Sequence, residues 1–231
     1  MNICKNAYEL ISANLVNILQ LRGKRMLKED GSYVTKGDLL CQRLVIDYVK
    51  SVPDTFEIVS EEMHKPGFMY DVKKNYAVLD PIDGTENFTS GLKEWGISLS
   101  IFKHGKHAES MIAMPELNIC LLTGGKIPKH KSRICGLSSS FPKKQIRSLP
   151  DGTECRIMGC CVYNLYNVIT GSFASFQNNK GAHAWDILAG LNLALEHGLD
   201  VLVDGKKYRG EFLPPIKKYP FHIRQKYTQY D

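Results

Sequence analysis

The sequence has no hydrophobic run that approaches the length of about 20 residues needed to cross a membrane as a helix. Its first residues lack the charged region, apolar stretch and cleavage site of a secretory signal. The seven cysteines form no paired C-x-x-C pattern of the kind that binds zinc. We therefore expect a cytoplasmic protein with no membrane partner, whose cysteines are buried free thiols in a reducing compartment.

What is present is the composition of an ordinary globular protein, with 43% hydrophobic and 23% charged residues among 231. This length fits a single domain, made of an N-terminal α+β half at about 1–140 and a C-terminal α/β half at about 150–231. The net charge of +6 comes partly from lysines and arginines after residue 205. Such a cluster can attract phosphate-bearing ligands or nucleic acid. A solvated surface is the simpler interpretation, and nucleic acid is not an expected partner.

Hydrophobic periodicity divides the chain into helices and strands, with no internal repeat. Helices are predicted at 5–22, 38–49, 160–170 and 184–197. Strands are predicted at 56–60, 76–79, 95–102, 108–114, 118–122, 132–138, 172–177 and 201–203. Residues 141–152 are predicted to form a surface connection or a short helix. Because these elements follow no strict β-α-β rhythm, the expected class is a layered α/β or α+β fold with mixed sheets.

Acidic residues stand at the ends of several predicted elements. They are Glu61 and Glu62 after a strand, Asp80 and Asp83 after the next strand, and Asp186 near a helix start. Carboxylates at the ends of buried elements converge more easily than carboxylates scattered over a surface. Taken singly, each also has a simpler explanation as a solvated pair, a turn or a helix cap. Their occurrence together favours a shared site.

The segment Asp80-Pro-Ile-Asp83-Gly84-Thr85 is the densest part of this pattern. Pro81 cannot donate to a sheet, so we expect the chain to turn there and bring Asp83 beside Asp80. Two close carboxylates repel each other unless a cation lies between them or one is protonated. Oxygen ligands without a nearby cysteine or histidine favour Mg²⁺ over Zn²⁺. Gly84 would let the backbone approach a ligand, and a helix starting at Thr85 would offer free amides to a phosphate.

Four segments carry a resemblance to a known family. They are Asp30-Gly-Ser-Tyr-Val-Thr-Lys-Gly-Asp38, Ser60-Glu-Glu62, Leu79-Asp-Pro-Ile-Asp-Gly-Thr-Glu-Asn-Phe88 and Gly181-Ala-His-Ala-Trp-Asp-Ile-Leu-Ala-Gly190. The third is a full copy of the motif D-P-x-D-G-T-x-x-F, and the fourth resembles W-D-x-x-A-G. Together they resemble the inositol monophosphatase family. Its superfamily of Mg²⁺-dependent, Li⁺-sensitive phosphatases includes 3′(2′),5′-bisphosphate nucleotidases and fructose-1,6-bisphosphatases.

The resemblance spans about residues 5–200 and implies a fold, an activity and a set of site residues. The implied fold is the layered α-β-α-β-α sandwich of this family, usually found as a homodimer. The implied cofactor is Mg²⁺, as two or three ions. The residues expected to hold it are Glu61, Glu62, Asp80, the carbonyl of Ile82, Asp83 and Asp186. The expected catalytic residues are Asp38, Glu61 and Thr85, with the Thr85–Asp38 pair orienting and helping to deprotonate the attacking water. The expected phosphate and substrate contacts are Asp83, Gly84, Thr85, Asn179 and Asp186.

The departures from the family pattern concern the substrate more than the chemistry. Asn179 stands where the inositol enzymes have an acidic residue, the segment at 123–155 is shortened, and Gly159-Cys160 replaces Gly-Ser or Gly-Thr. We expect a phosphomonoesterase for a small phosphorylated metabolite, first of all an inositol monophosphate or a related sugar or polyol phosphate. A 3′(2′),5′-bisphosphate nucleotidase is the second hypothesis. A regulatory or RNA-associated protein with secondary phosphatase activity is the third.

Overall fold

Two β-sheets alternate with layers of helices in a computed structural model, which describes residues 2–28, 31–64, 67–142, 152 and 154–226. The helices in this part of the chain are α1 Ile3–Ala13, α2 Leu15–Gln20, α3 Lys36–Ser51, α4 Thr85–Thr89, α5 Cys161–Thr170 and α6 Ala184–Glu196. The strands are β1 Arg25–Leu27, β2 Tyr33–Thr35, β3 Glu57–Ser60, β4 Tyr76–Asp83, β5 Gly96–Lys103, β6 Lys106–Met114, β7 Ile119–Leu122, β8 Cys135–Leu137, β9 Cys155–Ile157, β10 Ser175–Ala182, β11 Asp200–Val203, β12 Lys206–Lys207 and β13 Tyr219–Arg224. Short 3₁₀ turns occupy Glu61–Met63 and Pro115–Leu117.

Both large sheets are mixed. The first has the order β3-β4-β5-β6-β7, with β3 parallel to β4 and the other pairs antiparallel. The second has the order β12-β11-β13-β10-β8-β9, with β8 parallel to both of its neighbours. Strands β1 and β2 form a separate hairpin. The predicted class, a mixed α/β sandwich with mixed sheets, is confirmed.

The first sheet is covered on both faces, which explains why its central strands are hydrophobic without a polar side. Ala77 and Leu79 of β4 belong to a core shared with α1, α2 and α3. Tyr76 and Val78 belong to a second core shared with α5, α6 and the other sheet. Since successive side chains of a strand point to opposite faces, one strand supplies both cores. In the described part of the chain the layers therefore run helices, sheet, helices, sheet, which are four of the five layers expected.

The first predicted helix, at 5–22, is in fact two helices, α1 and α2, which are separated at Asn14. The side-chain amide of Asn14 donates to the carbonyl of Leu10 at 2.9 Å. Asparagine side chains compete in this way with the backbone hydrogen bonds of a helix. The apolar period continues through the break, so periodicity alone did not reveal it.

The prediction that the chain turns away at Pro81 is wrong, because β4 continues to Asp83. Asp80 lies opposite Ser98 and Asp83 lies opposite Gly96, so three steps on β4 match two on β5. This is a β-bulge, one of the few places where a sheet accepts proline. The bulge changes the direction of the side chains at the acidic end of the strand.

The C-terminal region contains strands that the sequence analysis missed. Strand β13 lies between β10 and β11 in the second sheet. Its residues Tyr219, Phe221 and Ile223 are buried and alternate with more exposed ones, which is a strand pattern hidden among basic residues. Strand β9 was also missed, and most of the connection predicted at 141–152 lies outside the described residues. None of the described helices has the length and apolar character required to span a membrane.

Candidate active site

Four of the predicted acidic residues surround one cavity of about 390 Å³. The end of β3 supplies Glu61, the bulged end of β4 supplies Asp80 and Asp83, and the first turn of α6 supplies Asp186. The starts of α4 and α5 complete the wall. The cavity therefore forms where the ends of elements from both halves of the chain meet.

Three of these carboxylates form a compact cluster. Glu61, Asp80 and Asp186 each present an oxygen atom within 4.8 Å of the others. Burial, followed by the charges of neighbouring carboxylates, raises the pKa of Asp80 and of Asp186 well above the usual range. A divalent cation would remove this repulsion, and a set of carboxylate oxygens suits a hard cation such as Mg²⁺. The donor atoms of the chain thus fit the implied metal.

Asp83 lines the same cavity but is directed toward the start of α5. Its Oδ2 accepts hydrogen bonds from the backbone amide of Val162 and, at 3.1 Å, from the thiol of Cys160. Burial raises the pKa of Asp83 to about 6, and these two donors act against the increase. The structure therefore brings Asp83 near Asp80 without including it in the three-carboxylate cluster.

Thr85 and Asp38 form the hydrogen-bonded pair that the resemblance implied. The Thr85 hydroxyl lies 3.3 Å from Asp38 Oδ1 and 3.1 Å from the carbonyl oxygen of Ile82, so it can donate a hydrogen bond to either. Asp38 is buried, and its Oδ2 accepts the amide of Thr35 at 2.8 Å in a capping box at the start of α3. Burial raises the pKa of Asp38, against the effect of the Thr35 hydrogen bonds. The capping box fixes the carboxylate that faces Thr85.

Gly84 joins β4 to α4 in a conformation that favours glycine. Its φ is +80°, and a Cβ atom there would lie 2.9 Å from Cβ of Cys160. Both the left-handed backbone and the close approach to α5 require the absence of a side chain. The tight turn leaves Gly84 and Thr85 on the cavity wall.

Glu62 does not belong to the carboxylate cluster. It pairs with Lys28, whose ammonium group lies 2.7 Å from Glu62 Oε1 and 2.9 Å from Glu61 Oε1. Burial raises the pKa of Glu62 to about 7, although Lys28 acts in the opposite direction. Burial would also lower the pKa of Lys28, but its hydrogen bonds to the two glutamates outweigh this and the pKa is raised. Lys28 could not be selected from the sequence, because only the folded hairpin carries it to the end of β3.

Asn179 is exposed and is not among the residues that line the cavity, whereas its neighbour Asn178 is buried and lines it. Side chains alternate along β10, so a shift of one position reverses the direction in which a residue points. The cavity also includes Cys161, Asn164 and Lys218, which the sequence analysis did not select. For Asn164 a signal existed, since it lies four residues after Cys160 and so shares its helix face.

The sequence model of the inositol monophosphatase family matches residues 1–126. The chain is 30% identical over 196 residues to Nus factor SuhB of Pasteurella multocida, covering 74% of this chain and 72% of that protein. It is 27% identical over 182 residues to a fructose-1,6-bisphosphatase/inositol-1-monophosphatase of Thermotoga maritima, covering 71% and 69%. It is also 27% identical over 124 residues to the 3′(2′),5′-bisphosphate nucleotidase CysQ of Escherichia coli K12, covering 52% and 48%.

Solved structures share the fold over almost the whole chain. An IMPase of Thermotoga maritima has a TM-score of 0.69 at 25% identity, covering 92% of this chain and 91% of that one. An IMPase/NADP phosphatase complexed with Mg²⁺ and phosphate has a TM-score of 0.75 at 22% identity, covering 96% and 92%. The second similarity, at this identity, concerns the fold alone.

Proposed function

The chain belongs to the inositol monophosphatase family of metal-dependent phosphatases, and we propose that it hydrolyses the phosphomonoester of a small sugar or polyol, such as an inositol monophosphate. One observation carries this proposal. Glu61, Asp80 and Asp186 lie within 4.8 Å of one another in the cavity that also holds Thr85. Carboxylates gathered beside a hydroxyl are what metal-assisted attack of water on a phosphate requires.

We propose that Glu61, Asp80 and Asp186 hold two or three Mg²⁺ ions together with Asp83 and the carbonyl of Ile82. Bound Mg²⁺ would neutralise the charge of the phosphate group and lower the pKa of water. Glu62 would contribute to ion binding only from the outer side of Glu61, because Lys28 already pairs with Glu62.

Thr85 and Asp38 would handle the proton of the attacking water. The Thr85 hydroxyl can give its proton to Asp38 Oδ1 and take one from a water molecule on its other side. Asp38 suits this task because Thr35 holds it in one orientation. The amides of Gly84 and Thr85 would contact the phosphate oxygens, and no covalent protein nucleophile is needed.

A 3′(2′),5′-bisphosphate nucleotidase is the second candidate. Lys218 lines the cavity and its charge acts on Asp186, so it is placed to meet a second phosphate group. The 27% identity to CysQ supports the same reading.

Phosphate release from a substrate panel tests these proposals. The panel contains inositol 1-phosphate, 3′-phosphoadenosine-5′-phosphate, fructose 1,6-bisphosphate and other sugar phosphates, each with Mg²⁺ and with EDTA. We expect Mg²⁺-dependent turnover, highest with a sugar or polyol phosphate, and inhibition by Li⁺. Highest turnover of the adenosine bisphosphate would favour the second candidate. Absence of turnover on the whole panel, together with salt-sensitive RNA binding, would favour the RNA-associated alternative.

We also propose a homodimer, because the family usually forms one. Light scattering coupled to gel filtration should then give about twice the chain mass of 26.1 kDa. A mass equal to that of one chain would contradict the dimer without affecting the proposed chemistry.

A further inference from the structure

Asn164 is a polar residue within the buried, mainly hydrophobic face of helix α5. Helix α5 places Val162, Leu165 and Val168 in the core between the two sheets. Asn164 lies among them and is only 2% exposed. Asparagine is a weak helix former, and a buried carboxamide destabilises a protein unless its polar atoms find partners. Its presence here breaks the pattern of the helix, and such breaks concentrate at functional positions.

The side-chain Oδ1 of Asn164 is buried and has no hydrogen-bond partner among the described residues. Two other helix asparagines behave differently. The Asn167 amide donates to the carbonyl of Tyr163 at 2.8 Å. The Asn192 amide donates to the carbonyl of Leu188 at 2.8 Å and to the hydroxyl of Tyr208 at 3.2 Å. Among the helix asparagines of the described residues, Asn164 is thus the one whose side-chain oxygen is buried and unpaired; Asn75 Oδ1 is in the same condition but lies in a loop outside the acidic cavity.

Asn164 also lines the cavity that contains the carboxylate cluster. Its backbone amide donates to the carbonyl of Cys160, and the thiol of Cys160 donates to Asp83. Asn164 thus lies one helical turn beyond the residues that hold Asp83. The other buried asparagine of the wall, Asn178, is already engaged, because its Oδ1 accepts the amide of Gly181 at 3.0 Å. Within the described part of the lining, Asn164 is the residue with a buried, unpaired side-chain acceptor.

We propose that Asn164 accepts a hydrogen bond from a hydroxyl group on the sugar or polyol ring of the substrate. A neutral amide oxygen requires a donor, which excludes the phosphate oxygens as its partner. A ring hydroxyl is the donor that a sugar or polyol phosphate supplies. The inference therefore rests on the proposed function and adds a residue that selects for hydroxyl-bearing phosphomonoesters.

The replacement Asn164→Leu removes the amide and keeps the number and branching of the side-chain heavy atoms, and it separates substrate recognition from the rest of the chemistry. The measurement is kcat/KM for inositol 1-phosphate divided by kcat/KM for phenyl phosphate, which has no hydroxyl group. We expect this ratio to fall by at least about 10-fold, mainly through KM, because a site that binds a hydroxyl discriminates strongly by it. An unchanged ratio, with both substrates affected by the same factor, would overturn the inference.

Thermal unfolding without substrate provides the second measurement. Asn164→Leu removes an unpaired buried acceptor, so we expect Tm to rise by roughly 2–4 °C. The matched control Asn192→Leu removes satisfied hydrogen bonds and should lower Tm. A fall in Tm for both variants would assign Asn164 a structural role and overturn the inference.

If the wild-type protein turns over phenyl phosphate but not inositol 1-phosphate, that choice of substrate fails. The ratio is then taken with any hydroxyl-bearing ester of the panel that is hydrolysed.

Discussion

Thr85 and Thr89 lie on the same short helix, but only Thr85 hydrogen-bonds toward a buried carboxylate. The Thr85 hydroxyl lies 3.3 Å from Asp38, whereas the Thr89 hydroxyl donates to the backbone of Glu86. We expect Thr85→Ala to lower kcat by about 10²–10⁴-fold, which is the usual contribution of a general acid or base. Thr89→Ala should keep wild-type kcat, and circular dichroism checks that both variants are folded. Wild-type turnover in Thr85→Ala would contradict the proposed proton path.

Residues within one continuous motif could be predicted from the sequence, and residues that depend on tertiary contacts could not. Asp80, Asp83 and Thr85 lie within six positions, so their proximity follows from the chain itself. Lys28 reaches Glu62 only because the β1–β2 hairpin folds over the end of β3. Asn179 illustrates the limit of counting along a strand, because β10 turns Asn178 to the cavity and leaves Asn179 exposed.

At the scale of elements, the junction between β4 and α4 positions the site. Gly84→Ala places a Cβ atom 2.9 Å from Cβ of Cys160 in addition to straining the backbone. Gly91→Ala is a matched control, since its φ of +83° gives the same strain with no heavy atom within 4 Å of the added Cβ. We expect Gly91→Ala to lower the free energy of unfolding by about 1 kcal/mol. Gly84→Ala should lower it by at least about 1 kcal/mol more, measured by urea denaturation. Equal losses of unfolding free energy in the two variants would mean that α5 shifts at this contact without a measurable cost.

The same junction explains why the sequence analysis placed the end of β4 too early. Proline usually ends a central strand, but the bulge opposite Gly96 accommodates Pro81 without breaking the sheet. Strand β13 was missed for a different reason. Its buried Tyr219, Phe221 and Ile223 alternate with polar residues in a region whose basic composition favoured a solvated tail. Composition averages over a segment, whereas a strand depends on alternate positions, so the average concealed the strand.

At the scale of the whole molecule, the fold and the site impose opposite requirements. The strands and helices that bury two hydrophobic cores also bring the buried Asp80 and the partly exposed Asp186 into one cluster of carboxylates. The fold class followed from hydrophobic patterning, because each layer must cover the next. The register that brings β3, β4 and α6 to one cavity depends on packing between distant segments, which a single sequence does not encode in any local pattern.

This conflict predicts how stability depends on pH and metal. Because the pKa of Asp186 is raised in the folded protein, the Asp186 carboxyl binds more protons in the folded state than in the unfolded state above about pH 4. The stability contribution of Asp186 is therefore lost as the pH rises toward its folded pKa. Partly buried histidines with lowered pKa values act in the opposite direction near neutral pH, and they are His107, His197 and His222. Comparing the wild type with Asp186→Asn at the same pH cancels their contribution.

In EDTA at about pH 7.5, we expect Asp186→Asn to have a Tm at least about 2 °C above that of the wild type, because it removes one negative charge from the three-carboxylate cluster. The amide oxygen can still accept the backbone hydrogen bond from His183. The difference should shrink as the pH falls, because the wild-type carboxyl becomes protonated at a higher pH than an ordinary aspartate does. Mg²⁺ at about 10 mM should reverse the order at the higher pH, because the wild type gains more from binding the ion than the variant does.

A wild type that is more stable than Asp186→Asn in EDTA at the higher pH would show that the carboxylates are already neutralised by the protein. Mg²⁺ would then have no repulsion to relieve.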